Sequence, residues 1–268
     1  MKYLLILFTF MFSNSVYSQG ILDWKAHTSF RSIIGIVQDA DERIWISTEG
    51  GIAIFEDSTL IKTLTIVEGL SRLSSTSIEY DQMSNSIFVG YIDGMIDKIN
   101  VENHEIQQIE DINRNTVFSS KSINKLLVSD DLLFVGTDFG IVEYDINSLL
   151  VRNSYLKLGD FDIGTGINDL AIIGSELYVA TEQGISFSEL DGNYAESDWQ
   201  NYDETSGLGE GSIQSLGYFN DSIVATSTSE NYKLENDSWV INNTFTNNLI
   251  LEYIQQGSKS IALAERNV

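Results

Sequence analysis

Four carboxylates are the residues of this chain with the clearest potential to bind an ion, because each stands one or two residues before a glycine at a recurring place. They are Glu49, Asp93, Asp138 and Glu182. Carboxylate oxygens are the ligands that Ca²⁺ and Mg²⁺ take, so a ring of these side chains would form a cation site. The alternative, which the pattern favours, is that an acidic residue before glycine only suits a tight turn in solvent. No other cofactor is expected.

The sequence contains few residues that could carry out catalysis. The chain has no cysteine and two histidines, His27 and His104, which stand in unrelated contexts without the spacing of a metal-binding motif. His27 is expected to pack or to form a hydrogen bond rather than to catalyse. The sequence contains no Gly-x-Ser-x-Gly nucleophile elbow. We therefore predict that the protein is not an enzyme.

The charge of the chain excludes one class of partner. Fifteen Lys and Arg residues stand against 39 Asp and Glu residues, which gives a formal net charge of -24. The basic residues are scattered rather than concentrated in a patch. Because nucleic-acid phosphates and anionic membrane surfaces repel such a chain, we expect no nucleic-acid partner.

The first residues have the order of an export signal. Lys2 gives a positive start, Tyr3 to Phe12 is an apolar run, and small and polar residues precede Gln19. This order predicts a signal peptide at residues 1–18 that is removed before Gln19. Ten apolar residues are too few to cross a bilayer, which takes about 20, and no later stretch is longer. We expect an exported chain with no transmembrane segment in its mature part.

A repeat of about 45 residues organises the rest of the sequence. One series of anchors consists of isoleucines spaced 44 to 46 residues apart: Ile33, Ile78, Ile123, Ile167 and Ile213. About ten residues later, each unit has an aromatic, an apolar and a small residue, then Thr, an acidic residue and Gly, with variations. These segments start at Trp45, Phe88, Phe134 and Tyr178. A degraded fifth copy has Ser229 where the glycine should be, and a sixth begins at Ile261.

Each unit alternates short apolar runs with turn residues, which is typical of successive antiparallel strands. Four strands per unit of about 45 residues predict the blades of a β-propeller in an all-β chain. In the first unit we expect strands near Ile33 to Gln38, Arg43 to Ser47, Gly51 to Glu56 and Ile61 to Ile66.

The number of units predicts five full blades and part of another within a propeller domain at residues 19–268. The sixth unit fits strands at Ile250 to Gln255 and Ser260 to Ala264, with no room for a third and a fourth. Asp23-Trp24 resembles a displaced outer strand that closes the ring. We expect the propeller to be incomplete at its carboxy terminus.

Gly69-Leu70 and Gly207-Leu208 follow fourth strands, and together with the second-strand motif they resemble the two-component-regulator type of propeller repeat. Over residues 20 to about 202 the chain further resembles the amino-terminal propellers of the PorZ family, which belongs to the type IX secretion system of Bacteroidota. The segments that carry this resemblance start at Asp23, Glu68, Ile78, Gly90, Ile109, Lys121 and Phe139.

The resemblance implies a seven-bladed ring in the periplasm or on the outer-membrane surface. It also implies protein partners in the attachment complex that handles anionic lipopolysaccharide. Since the charge of -24 repels an anionic polysaccharide, we expect contact with a protein, or with the polysaccharide through a divalent cation. The alternative is the extracytoplasmic ligand-sensing propeller of a hybrid two-component kinase.

Overall fold

The computed structural model of the chain describes residues 28–190, 195, 198–245, 248–256 and 259–264. The predicted signal peptide, the Asp23-Trp24 closing strand and His27 lie outside the described residues. Among the described residues, no helix is long and apolar enough to cross a membrane.

Antiparallel sheets built from consecutive strands contain almost all of the regular secondary structure of the described residues. Five sheets have four strands each, in simple up-and-down order, and a sixth has two strands. The first strands of successive sheets contact one another around a common axis. This arrangement is that of propeller blades, so the predictions of an all-β fold, of five full blades and of part of a sixth are confirmed.

Short connections join the strands within each of the first three blades. Blade 1 contains β1 (Ile33–Gln38), β2 (Ile44–Thr48), β3 (Gly51–Glu56) and β4 (Thr59–Leu64). Blade 2 contains β5 (Ser77–Asp81), β6 (Ser86–Gly90), β7 (Ile96–Asn100) and β8 (Ile106–Ile109). Blade 3 contains β9 (Ile123–Ser129), β10 (Leu132–Thr137), β11 (Gly140–Asp145) and β12 (Leu150–Tyr155).

Blade 4 contains β13 (Ile167–Ile173), β14 (Glu176–Thr181), β15 (Gly184–Glu189) and β16 (Gln200–Tyr202). Blade 5 contains β17 (Ile213–Phe219), β18 (Ser222–Ser227), β19 (Asn231–Glu235) and β20 (Ser238–Ile241), and blade 6 contains β21 (Ile250–Gln256) and β22 (Lys259–Ala264). One short helix, α1 (Asp111–Arg114), and 3₁₀ turns at Glu204–Ser206 and Asn243–Phe245 lie in the connections between blades.

The threonine of the repeated motif forms hydrogen bonds within the turn between the second and third strands. In blade 3 the Thr137 hydroxyl donates to the Gly140 carbonyl oxygen at 2.8 Å and accepts from the Phe139 amide at 3.2 Å. Thr48 and Thr181 donate in the same way to the glycines that open β3 and β15. These bonds satisfy backbone groups at a turn that strand pairing leaves open, so they account for Thr and Gly at a fixed spacing.

The isoleucine anchors pack against small residues of the preceding blade. A Cβ atom on Gly90 would lie 2.4 Å from Ile123 Cγ2, and one on Gly136 would lie 2.8 Å from Ile167 Cγ2. The small residue of the motif therefore leaves room for the isoleucine of the next blade. The period of 44 to 46 residues is the number of residues from one blade to the next.

Each junction between neighbouring blades has its own hydrophobic core. The core between blades 1 and 2 contains Trp45 and Ile87, and the core between blades 2 and 3 contains Phe88 and Leu133. Further cores join blades 3 and 4, blades 4 and 5, and blades 5 and 6. The last of these is small, with three buried residues.

Candidate functional site

The four predicted carboxylates lie on the turns between the second and third strands of blades 1 to 4. Glu49 and Glu182 are exposed, whereas Asp138 is half-buried. These turns and the connections between blades lie at the same end of the propeller, which we call the mouth. All four carboxylates therefore lie on the turn between the second and third strands of a blade.

Two of the four carboxylates are already bound by other groups of the same chain. The Asp93 carboxylate forms an ion pair with the Arg72 guanidinium, in the connection between blades 1 and 2. Asp138 accepts hydrogen bonds from the Ser122 amide at 3.3 Å and from Asn124 Nδ2 at 2.8 Å. These contacts hold the connections against the blades, and they supply the acidic side chains with donors from the chain itself.

The structure does not gather the four carboxylates into one cluster. Within the described part of the chain, no group of three or more His, Cys, Asp or Glu side chains is close enough to hold a metal ion. Cation binding at Glu49, Asp93, Asp138 and Glu182 stays a prediction.

Calorimetric titration of the chain with Ca²⁺ tests the cation site. Binding by the four carboxylates should release or absorb heat, and it should raise the melting temperature because a ligand that binds only the folded state stabilises it. Glu49→Gln combined with Glu182→Gln should remove the effect. A titration without heat and without a shift in melting temperature contradicts the prediction.

His104, the described histidine, has a packing role. Its ring lies 5.8 Å from the ring of Trp45, centroid to centroid. Burial, assisted by the positive charges of Lys62 and Arg43, lowers the pKa of His104. A histidine held neutral against an indole suits packing between blades 1 and 2.

The described surface has shallow grooves on blade 2 and at the end of blade 5. One, with a volume of about 510 Å³, is lined by Lys98, Glu105 and neighbouring polar residues of blade 2. The Lys98 ammonium donates to the Ile146 carbonyl oxygen of blade 3 at 3.1 Å, and burial lowers its pKa. This lysine therefore connects blade 2 to blade 3 by a hydrogen bond.

Sequence reasoning missed a cluster of charges near the axis. Lys125 Nζ lies 3.1 Å from Asp169 Oδ1 and 3.5 Å from Glu252 Oε1, so β9 is joined to β13 and β21. Each of these residues stands two places after the isoleucine that opens its strand. That shared register was the signal that could have revealed the cluster, because equivalent positions on innermost strands converge.

A sequence profile of the PorZ N-terminal β-propeller domain of the type IX secretion system matches residues 44–200, more than half of the chain. The chain belongs to this family. The matched residues run from the start of β2 to the start of β16, and they include the four motif turns of blades 1 to 4. No curated protein matches the sequence.

Solved structures with the same fold include PorZ, described as an essential bacterial surface component of the type IX secretion system of Porphyromonas gingivalis. The match to PorZ has a TM-score of 0.70 and 17% identity, and it covers 90% of this chain and 34% of that chain. The extracellular domain of the hybrid two-component system BT3049 from B. thetaiotaomicron matches with a TM-score of 0.59 and 17% identity, over 73% of this chain and 26% of that one.

A similar domain of the system BT4673, also from B. thetaiotaomicron, matches with a TM-score of 0.54 and 15% identity. This match covers 86% of this chain and 36% of that chain. The chain thus spans between about a quarter and about a third of the length of these solved structures. At these identities the matches show a shared propeller fold.

Proposed function

We propose that the protein is a non-catalytic, exported interaction module that acts in type IX secretion, within the attachment complex at the cell surface. The observation that carries this proposal is membership of the PorZ N-terminal propeller family over residues 44–200. The similarity in fold to PorZ, with a TM-score of 0.70, supports it. A predicted signal peptide agrees with export.

The charge of the chain bears on the kind of partner. A net charge of -24 repels an anionic polysaccharide at close range, and the repulsion is screened only beyond about 8 Å at physiological salt. We therefore propose a protein as the direct partner of this propeller. Anionic lipopolysaccharide would bind through a divalent cation.

Deletion of the gene in the producing bacterium tests this proposal. We expect type IX cargo proteins to be lost from the outer surface and to accumulate in the periplasm, and the intact gene supplied in trans should restore them. The measurement is cargo abundance in each fraction, by mass spectrometry. Unchanged export of cargo in the deletion strain contradicts the proposal.

A second candidate function follows from the matches to extracellular domains of two-component systems. In that case the propeller binds a ligand outside the cell, and the signal passes to a kinase. Deletion should then alter the transcription of a small set of genes in response to a carbohydrate and leave cargo export intact. Transcript and cargo measurements on the same strain separate the two functions.

A further inference from the structure

Exposed aliphatic side chains are concentrated at the mouth of the propeller. Six large hydrophobic residues with exposed side chains lie on the described turns and connections rather than on strands, and five of them lie at the mouth. These five are Ile66, Val67, Ile92, Val117 and Ile163, whereas Met83 lies at the opposite end. Single exposed hydrophobic residues are usual on a protein surface. Their concentration at one end is typical of an interaction surface.

Ile92 stands at a place where three other blades carry an acidic residue. In blades 1, 3 and 4 the residue directly after the motif threonine is acidic: Glu49, Asp138 and Glu182. In blade 2 Tyr91 replaces the threonine, and Ile92 follows it with 70% of its surface exposed. Because the equivalent turns form with a carboxylate at this place, the turn does not require an isoleucine. The Ile92 side chain is therefore available to a partner.

Val117 lies on a connection that is fixed to both neighbouring blades. Asn113 Nδ2 of this connection donates to the Asp93 carbonyl oxygen of the blade 2 turn at 2.8 Å. The Phe118 ring stacks on Phe139 of the blade 3 turn, with 4.0 Å between the ring centroids. Val117 is 80% exposed between these contacts. The connection therefore places Val117 between the turns of blades 2 and 3.

Ile163 lies on the next connection, which is fixed to the turn of blade 4. The Asp162 amide donates to Gln183 Oε1 at 3.0 Å, and Gln183 Nε2 donates to Asp162 Oδ2 at 2.8 Å. The Gly164 amide donates to the Leu156 carbonyl oxygen at 2.7 Å. Ile163, between these two fixed residues, is 73% exposed. A partner therefore meets the exposed aliphatic side chains on backbone that is already ordered, which lowers the entropy cost of binding.

Carboxylates lie around Ile163. They belong to its own connection and to the turns of blades 3 and 4: Asp160, Asp162, Asp138 and Glu182. A Cβ atom on Gly166 would lie 3.7 Å from both Asp138 Cα and Glu182 Cδ, so these two turns approach each other at the end of the connection. No three of these described carboxylates are close enough to hold a metal ion. Their spacing instead suits several separate basic groups of a partner.

The basic residues of the connections between blades 1 and 4 already interact within the chain. Arg72 and Arg114 form ion pairs with carboxylates of the mouth, and Lys121 Nζ donates to two backbone carbonyl oxygens of its own connection. Lys157, on the connection of Ile163, also interacts within the chain. The surface around Ile163 is therefore complementary to a positively charged partner.

We propose that the mouth of blades 2 to 4 is the docking surface for the protein partner, and that this partner presents Lys or Arg side chains beside apolar ones. The exposed aliphatic side chains pack on the apolar groups, and the carboxylates around Ile163 pair with the basic groups. An acidic partner meets like charges at the same place, which costs affinity. This inference rests on the proposed function only in taking the partner to be a protein.

Fluorescence anisotropy with the purified full chain and labelled synthetic peptides tests the docking surface. One peptide alternates Lys and Leu, a second of equal length alternates Lys and Ser, and a third alternates Glu and Leu. The solutions contain EDTA, so that divalent cations do not occupy the carboxylates. We expect the Lys/Leu peptide to bind at least about tenfold more tightly than either of the others, because apolar contacts and charge pairs both contribute.

Ile92→Asn combined with Ile163→Asn removes the apolar part of the surface. The affinity for the Lys/Leu peptide should fall about tenfold, since two buried aliphatic contacts are lost. The melting temperature should stay unchanged because both side chains are exposed in the free chain. Met83→Asn is the matched control, because Met83 is 77% exposed at the opposite end, and it should leave the affinity unchanged.

Asp160→Asn combined with Glu182→Gln removes two charges near Ile163. This variant should bind the Lys/Leu peptide more weakly, and its affinity should depend less on salt concentration. The matched control is Asp57→Asn combined with Asp237→Asn, which removes two charges at the opposite end, where asparagine accepts the positive φ of both positions. The control should keep the affinity and the salt dependence of the unaltered chain.

Three results overturn the proposal: no binding of the Lys/Leu peptide, undiminished binding by the variant without Ile92 and Ile163, or an equal loss in the two charge variants. Either of the last two results would mean that the peptide binds elsewhere through the overall charge of the chain. The measurement uses the purified chain, so its outcome is independent of cargo export, which tests the proposed function.

Discussion

Gly140→Ala is expected to destabilise the propeller by about 2–5 kcal/mol. Gly140 opens β11 with φ of 129°, a conformation that costs an alanine about 1–2 kcal/mol. A Cβ atom there would also lie 2.4 Å from the carbonyl oxygen of Tyr155, the last residue of β12. Backbone atoms cannot move aside as a flexible side chain can, and overpacking adds about 1–3 kcal/mol. Urea unfolding followed by circular dichroism measures the loss.

The control for Gly140→Ala is Gly174→Ala. Gly174 also has a positive φ, of 66°, but no atom lies within 4 Å of the place that its Cβ would take. Its replacement should cost about 1 kcal/mol, which isolates the effect of the close approach. Equal losses at the two positions would show that the fourth strand does not press against the turn.

The blade architecture could be predicted from the sequence because strand periodicity and turn residues are local signals. The predicted strand at Ile33 to Gln38 matches β1 in both bounds, and the one at Gly51 to Glu56 matches β3. The outer strand was predicted at Ile61 to Ile66 but lies two residues earlier, at Thr59–Leu64. Asp57 and Ser58, both with positive φ, form a two-residue turn, so the strand begins directly after them.

The sequence also predicted the place of the four mouth carboxylates but not their partners. Arg72 pairs with Asp93 across 21 positions, and Asn124 binds Asp138 across 14. Such pairs depend on the curvature of the connections between blades, which no local pattern encodes. The Lys125 and Glu252 pair, 127 positions apart, lies on innermost strands instead, and only the shared register of these strands could have indicated it.

Part of the acidity of the chain is a consequence of its turns. Asp57, Asp130, Asp221 and Asp237 have positive φ values between 46° and 61°. Asp and Asn accept this conformation more readily than most other residues, and it suits the two-residue hairpins that connect twisted strands. These turns lie at the end of the propeller opposite the mouth. Their charge is therefore explained by the fold, and it does not by itself indicate a ligand there.

Asp39, which directly follows β1, links the first hairpin turn to the core of blade 1. It is 5% exposed, and its carboxylate accepts the Arg43 amide at 2.9 Å and Arg43 Nε at 2.8 Å. Asp39 Oδ2 also accepts the indole N–H of Trp45 at 2.9 Å. A buried carboxylate is stable only with such donors, so the first hairpin and the first aromatic of the repeat depend on each other.

Trp45→Ala is expected to cost about 3–5 kcal/mol, the range found when a buried aromatic side chain is truncated. Trp45 is fully buried in the core between blades 1 and 2, where it packs with Ile54 and Ile78. Its removal leaves a cavity in that core and takes one donor from Asp39. Unfolding in urea, followed by circular dichroism, measures the loss without relying on tryptophan fluorescence.

Trp45→Phe separates the two parts of this loss. Phenylalanine occupies the same place of the repeat in blades 2 and 3, at Phe88 and Phe134, so a benzyl group is compatible with the position. The variant keeps most of the packing but lacks the N–H, while Arg43 still donates to Asp39. It should therefore cost about 1.5–3 kcal/mol, the range for one hydrogen bond to a charged group. If Trp45→Ala cost no more than Trp45→Phe, the junction core would contribute little, and the stability of blade 1 would depend on the Asp39 hydrogen bonds instead.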